Sequence, residues 1–275
     1  MQTILKGTST RVTIGKCQPI VIIGNRINPT TPGIAQALRE GNYDAIGQSA
    51  LSQARDGAHV VNVCVHAPGV EEQKVLPAAV EAVAAAVDLP VALDARDPAA
   101  LAAALACVPG RPLVNAIGCA SASFKELLPL VVHSGAAVVG FAHDGADQPT
   151  SFESLVELGR EILRQCITAG VPRHDVIVNL PTLPLSTGHA GAVPLLDALA
   201  HISRVDDVNL SVNLDQISDG LLHHETIDAM FSALAVRHGA TCLIVDPLQG
   251  KRIAHIANLL FGKDQALSHL LAGRK

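Results

Sequence analysis

Tryptophan is absent from this 275-residue chain, and aromatic residues of every kind make up only 2% of it. A core must then be filled by Val, Ile, Leu and Ala, and a hydrophobic content of 49% supplies enough of them. Branched and small aliphatic residues suit strands buried on both faces, as in parallel sheets. Clusters of Lys and Arg are also missing, and the formal charge is -5, so a nucleic-acid partner is not expected. No uninterrupted apolar run approaches the roughly 18 residues of a membrane span, and Met1–Gly7 lacks a basic region followed by a long apolar stretch. A chain with no membrane partner and a cytoplasmic location is expected. The six cysteines (Cys17, Cys64, Cys107, Cys119, Cys166, Cys242) are scattered, four of them in or beside apolar runs. They read as reduced thiols acting as small core hydrophobes rather than as a disulfide framework.

Apolar, strand-like runs alternate with longer helical patterns from end to end, the signature of repeated βα units around a parallel sheet. The strand candidates are Pro19–Gly24, His59–Cys64, Pro90–Asp94, Pro112–Asn115, Ala136–Phe141, Asp175–Asn179, Asp207–Asn213 and Thr241–Asp246. Between them lie amphipathic stripes such as Leu155, Leu158, Ile162 and Ile167, or Leu195, Leu196, Leu199 and Ile202. Gly57, Gly135, Gly170 and Gly239 each stand just after a helical stretch, where a left-handed residue turns the chain into the next strand. Eight units predict a single (β/α)8 TIM barrel over residues 1–275, with a core from about 19 to 262. An open doubly wound sheet is the alternative, but no G-x-G-x-x-G joins the first strand to a helix. No linker or composition shift marks a domain boundary, and Asp144–Ser151, rich in Gly, Asp and Pro, is the best candidate for a mobile loop.

Asp94, Asn115, Asn179 and Asn213 each close an apolar run. Any one of them could simply turn the backbone at a strand end. Four together, at the rim where barrel enzymes build their sites, read as a polar-edged pocket for a flat heterocycle with a guanidine-like edge. Other candidates weigh less. Cys64, His66 and Cys119 could be imagined around zinc, but no further ligand spacing is recognisable, so no metal is expected. His223-His224-Glu225 reads first as a solvated first turn of a helix and Lys251-Arg252 as an exposed basic pair, while His143-Asp144 is as much a loop pair without a role as a substrate contact.

Ile22-Ile23-Gly24-Asn25-Arg26-Ile27-Asn28, Gly57-Ala58-His59-Val60-Val61-Asn62-Val63, Leu93-Asp94, Val114-Asn115 and Val212-Asn213-Leu214-Asp215-Gln216 together resemble the pterin-binding methyltransferases of the dihydropteroate synthase-like superfamily, over roughly residues 20 to 260. These move a methyl group from methyltetrahydrofolate to a corrinoid protein. The resemblance implies that Asp94, Asn115 and Asn179 hold the pterin ring, and that Asn213 reaches N5 as the catalytic residue. It brings Gln216, Asn25 and Asn62 into the substrate pocket. It further implies tetrahydrofolate as the product, a corrinoid (cobalamin) carried by a partner protein that docks on the strand C-terminal rim, and a homodimer formed through outer helices. No D-x-H-x-x-G stretch is present for binding a corrinoid within the chain itself. The proton for N5 would come from solvent or a neighbour such as Asp215. The chain departs from the pattern where relatives carry acids: Asn25 stands for Glu, Asn62 and Asn179 for Asp, and Cys64 for Asn. Two other readings stay open: a dihydropteroate synthase-like condensing enzyme, whose Lys beside the seventh strand is missing from Asn213-Leu214-Asp215, and a non-catalytic pterin-binding subunit.

Overall fold

A computed structural model describes residues 1–118, 124–141, 149–187, 191–214 and 217–262. It opens with an antiparallel hairpin, β1 (Gln2–Lys6) and β2 (Arg11–Gly15). Eight parallel strands then close into a barrel: β3 (Val21–Ile27), β4 (Val60–Cys64), β5 (Val91–Asp94), β6 (Leu113–Gly118), β7 (Ala137–Phe141), β8 (Val176–Asn179), β9 (Asn209–Asn213) and β10 (Cys242–Val245). Neighbours follow chain order, and β10 pairs β3 to close the ring, Cys242 opposite Val21 and Val245 opposite Gly24. Two helices, α1 (Ile34–Glu40) and α2 (Tyr43–Arg55), follow β3. One helix follows each later strand: α3 (Glu72–Ala86), α4 (Pro98–Cys107), α5 (Phe124–Ser134), α6 (Phe152–Thr168), α7 (Val193–Asp206), α8 (His224–Arg237) and α9 (Pro247–Leu260). The eight-stranded (β/α)8 TIM barrel expected from the alternation is the fold, and each strand overlaps its candidate run.

Two hydrophobic clusters follow from the period-two geometry of strands. Ile22, Val61, Val63, Leu93, Val114, Val138, Val178, Leu210, Val212 and Leu243 face outward and pack under the helices. Val21, Ile23, Val60, Ala92, Leu113, Ala137, Val139, Ile177, Cys242 and Ile244 face inward and fill the cylinder. Gly57 and Gly239 take φ of 100° and 112°, conformations that end α2 and α8 and re-aim the chain into β4 and β10. In α6 the buried stripe is Leu155, Val156, Gly159, Ile162, Leu163 and Cys166, whereas Ile167, expected in it, is 39% exposed. The helix turns 100° per residue, so Cys166 occupies the inner face and Ile167 is carried to its edge.

The packed interior also begins earlier than residue 19, where the expected core starts. Leu5, Val12 and Ile14 of the hairpin join the inward cluster and plug the N-terminal end of the barrel. Asn209 Nδ2 donates to Thr3 Oγ1 at 2.9 Å and to the Ile14 carbonyl at 3.2 Å. Arg111 Nη1 donates to the Ile4 carbonyl at 2.5 Å, and its Nη2 pairs with buried Asp175 at 2.5 Å. With one end stoppered by the hairpin, the C-terminal mouth is the end left for a binding site.

Candidate active site

Inward parity continues past the apolar layers to the C-terminal ends of β4, β5, β8 and β9 and to Asn115 within β6. On β4 the inward positions are Val60, Asn62 and Cys64; on β5 Ala92 and Asp94; on β6 Leu113 and Asn115; on β8 Ile177 and Asn179; on β9 Asn209, Ser211 and Asn213. Asn213 is level with inward-facing Ile244 of β10. Asp94, Asn115, Asn179 and Asn213 therefore converge on one mouth although more than a hundred residues separate the first from the last. Gln216 lies outside the described residues, as do Asp215, Cys119, His143, Asp144 and most of the loop expected to be mobile.

Three amides form a directional chain across β6, β4 and β3. Asn115 Nδ2 donates to Asn62 Oδ1 at 2.9 Å, and Asn62 Nδ2 donates to Asn25 Oδ1 at 3.0 Å. Asn62 is 1% exposed and Asn115 5%, so each bond replaces water that the site excludes. Across the barrel, buried Asn179 donates Nδ2 to Ser211 Oγ at 2.9 Å. That bond orients the Asn179 amide, and Ser211, two residues before Asn213 and on the same face, is a participant that sequence reasoning passed over. Its position inside the run Val208-Asn209-Leu210-Ser211-Val212 was the available signal, because Asn209, Ser211 and Asn213 alternate with Leu210 and Val212.

Asp94 is the acid in this described part of the mouth, set level with Cys64 of β4. Burial, aided by the charge of Glu72, raises its carboxyl to about 6, against hydrogen bonding from Cys64, the charge of Arg96 and a weaker hydrogen bond from Asn62. Burial likewise pushes the Cys64 thiol up to about 12, with Asp94 adding to the effect, so the thiol stays protonated and can donate. Glu72 is itself engaged by His66 Nδ1 at the exposed rim. His66 thus faces Glu72, and among the described residues no group of three or more His, Cys, Asp or Glu is arranged to hold a metal ion.

The mouth is braced from outside at the β10–β3 seam. Arg26, next to Asn25, forks onto Asp246 with Nε at 2.6 Å and Nη2 at 3.0 Å, and its Nη1 reaches Asp56 at 2.5 Å. Gly24 allows this closeness: a Cβ there would lie 2.5 Å from Gln53 Oε1 and 2.8 Å from Pro247 Cγ. Of the remaining sequence candidates, His223 caps α8 with φ of 60° and Lys251-Arg252 lies in the second turn of α9, with the Lys251 stem packed on Gly57. Neither pair is brought into contact with the amide chain.

A mouth with one carboxylate of raised pKa and several oriented amides can match the in-plane donors and acceptors of a heterocycle, and comparison with known proteins is in accord. A family model described as pterin binding enzyme matches residues 24–246. The methylcorrinoid:tetrahydrofolate methyltransferase of Eubacterium limosum is 24% identical over 251 residues, covering 90% of this chain and 93% of that protein. The methionine synthase of Mycobacterium tuberculosis is 27% identical over 215 residues, 74% of this chain but only 18% of that protein, so the chain spans less than a fifth of that longer relative. Among solved structures, Yersinia pestis dihydropteroate synthase with a sulfonamide drug superposes with a TM-score of 0.71 at 17% identity, over 95% of this chain and 100% of that one. Xanthomonas albilineans dihydropteroate synthase in complex with 7,8-dihydropteroate gives 0.69 at 19% identity, over 94% and 98%. At such identities these two structures speak to the fold alone.

Proposed function

The chain belongs to the pterin-binding enzyme family, and from that premise we propose that it is a methyltransferase that moves the N5-methyl group of methyltetrahydrofolate to, or reversibly from, the Co(I) centre of a corrinoid protein. The observation that carries the reading is the convergence of Asp94, Asn115, Asn179 and Asn213 on one mouth of the barrel. The Eubacterium limosum relative, matched over nearly its whole length, supports methyl transfer over condensation. The absence of a Lys from Asn213-Leu214-Asp215 points the same way.

In this proposal the pterin lies flat across the mouth. The Asp94 carboxylate accepts from its guanidine-like edge, and the Asn115 and Asn179 amides fix its rotation in the plane. When the corrinoid partner docks on the same rim, its cobalt supplies the nucleophile that takes the methyl group. The nitrogen keeps the electron pair of the broken N5–CH3 bond and ends by holding a proton. Asn213, half-buried at the tip of β9, would direct an amide N–H toward N5, a contact that strengthens as negative charge builds there and so favours the transition state over the bound substrate. An amide cannot itself be the acid, so the proton arrives from solvent or a neighbouring group. The homodimer belongs to the same proposal; exposed Met230 and Leu234 on α8 and Ile256 and Leu260 on α9 are apolar surface that a second copy could cover.

The test is a titration of methyltetrahydrofolate against the chain and its Asn213→Ala variant, followed by methyl transfer to reduced free cobalamin. Binding should survive within a few-fold while the rate falls about 100-fold or more, the usual cost of one donor to a developing charge. Equal rates would remove Asn213 from the mechanism, and no binding by the native chain would remove the pterin.

A further inference from the structure

The polar side chains at the mouth differ in depth and in partners. Asn62 lies one layer deeper than Asp94, level with Ala92, and is 1% exposed. Its hydrogen bonds are to protein: Oδ1 accepts from Asn115 and Nδ2 donates to Asn25, while the amide also favours the charged form of nearby Asp94. These partners sit on β6, β3 and β5, so a single side chain on β4 ties together the groups that line one side of the pocket.

Resting on the pterin-pocket reading above, we infer that Asn62 is a positioning residue for pterin recognition, setting the orientation of Asn115 and Asn25 beside Asp94 through a hub that must accept on one side and donate on the other. An amide meets that requirement; a carboxylate of the same shape does not, because it has no hydrogen to give. In Asn62→Asp, the Asn25 Oδ1 and the Asp94 carboxylate would be faced with oxygens only. The hub would re-form as it stands only if the introduced carboxyl took up a proton and donated it; otherwise Asn25 must turn its amide over and donate in place of accepting. The amides at 62 and at 25 thus have one structural cause: the two side chains are direct hydrogen-bond partners, and an amide pair keeps a fixed donor direction with no shared proton.

The consequence is a signature in pH. In the native chain, pterin affinity should follow one ionisation, that of Asp94, whose charged and titratable neighbours are Cys64 on β4, Arg96 just after β5 and Glu72 on α3, the last already paired with His66. In Asn62→Asp the two carboxyls titrate as a coupled pair, and binding should pass through a maximum where the pair holds one proton.

The experiment is a pH series of methyltetrahydrofolate titrations with native protein, Asn62→Asp and Asn62→Ser, with circular dichroism confirming the fold of each. Native protein should weaken in one step on acidification. Asn62→Asp should bind about tenfold or more weakly at pH 8, regain affinity as the pH is lowered and then lose it, while Asn62→Ser, smaller and uncharged, should lose a similar factor and keep one step. If Asn62→Asp is unfolded at pH 8, the Ser variant carries the test alone. Native affinity in Asn62→Ser, or native affinity with a single-step profile in Asn62→Asp, overturns the positioning role and leaves the pterin reading standing. Failure of the native chain to bind overturns both.

Discussion

Replacing Asp94 by Asn should make the protein more stable and less able to bind its ligand. The carboxyl is raised from 3.8 to about 6, chiefly by burial. A folded-state pKa above the unfolded one means that the native protein holds this proton more tightly than the denatured chain does. Stability from this group is therefore full below pH 3.8, falls as the pH rises to about 6 and stays lowered above. Two units correspond to about 3 kcal/mol as an upper bound, and solvent access to a half-buried group trims this to about 1–3 kcal/mol. Asn keeps the shape, carries no charge and can still accept from Cys64. Urea unfolding at pH 8 should thus show Asp94→Asn more stable than native by that amount, with the gap closing toward pH 4, while calorimetry at pH 8 shows pterin affinity reduced by about tenfold or more, because one ligand donor is left unmet in a dry site. A variant that is less stable than native at pH 8, or a gap that does not change with pH, would refute the claim that the acid is kept at the mouth at the expense of stability.

Two further substitutions probe the opposite wall and the floor. Asn179→Asp removes the N–H that the Ser211 hydroxyl accepts at 2.9 Å, but the hydroxyl can turn and donate to the new carboxylate, whose other oxygen adds a charged acceptor, so pterin binding above pH 7 should tighten by about tenfold in the same titration; unchanged affinity would place position 179 away from the ligand's donors. Arg111→Ala removes the cation from Asp175, which is 3% exposed and already has Oδ1 without a partner, and cuts the bond to the Ile4 carbonyl. Chemical denaturation should register a loss of about 3–5 kcal/mol, as for other buried ion pairs deprived of one member, and a loss below about 1 kcal/mol, the range of an exposed pair, would mean that the hairpin does not depend on this anchor.

In the proposed reading, stability and recognition pull against each other at one mouth of the cylinder, opposite the plugged floor. At the floor, Leu5, Val12 and Ile14 fill the space between the inward side chains and exclude water. At the mouth, Asn25, Asn62, Asn115 and Asp94 interact with one another, and Asn179 bonds Ser211, so the polar groups are organised without a ligand. A preformed set of this kind loses little conformational entropy when a rigid ring arrives.

Periodicity alone determined the barrel. Eight short aliphatic runs spaced by helical stripes, with Gly57, Gly135, Gly170 and Gly239 at the joints, leave few ways to bury two-faced strands, and the end residues Asp94, Asn115, Asn179 and Asn213 stood out because each is polar where its run stops. Local pattern could not reveal the hairpin's place, since the alternation in Gln2–Lys6 and Arg11–Gly15 says that one face is apolar but not what covers it; contact with residues about a hundred to two hundred positions away does. Nor could it separate amides at the rim from those one layer deeper. Asn62 and Asn115 are the same residue type on two strands of one wall, and only the stagger between β4, β5 and β6 sets one at the level of Ala92, bonded to two neighbouring amides, and the other at the level of Val139. Composition and period act along the chain, whereas hydrogen-bond partners and the raised ionisation of Asp94 depend on depth inside the closed cylinder, a quantity that exists only once β10 has paired with β3.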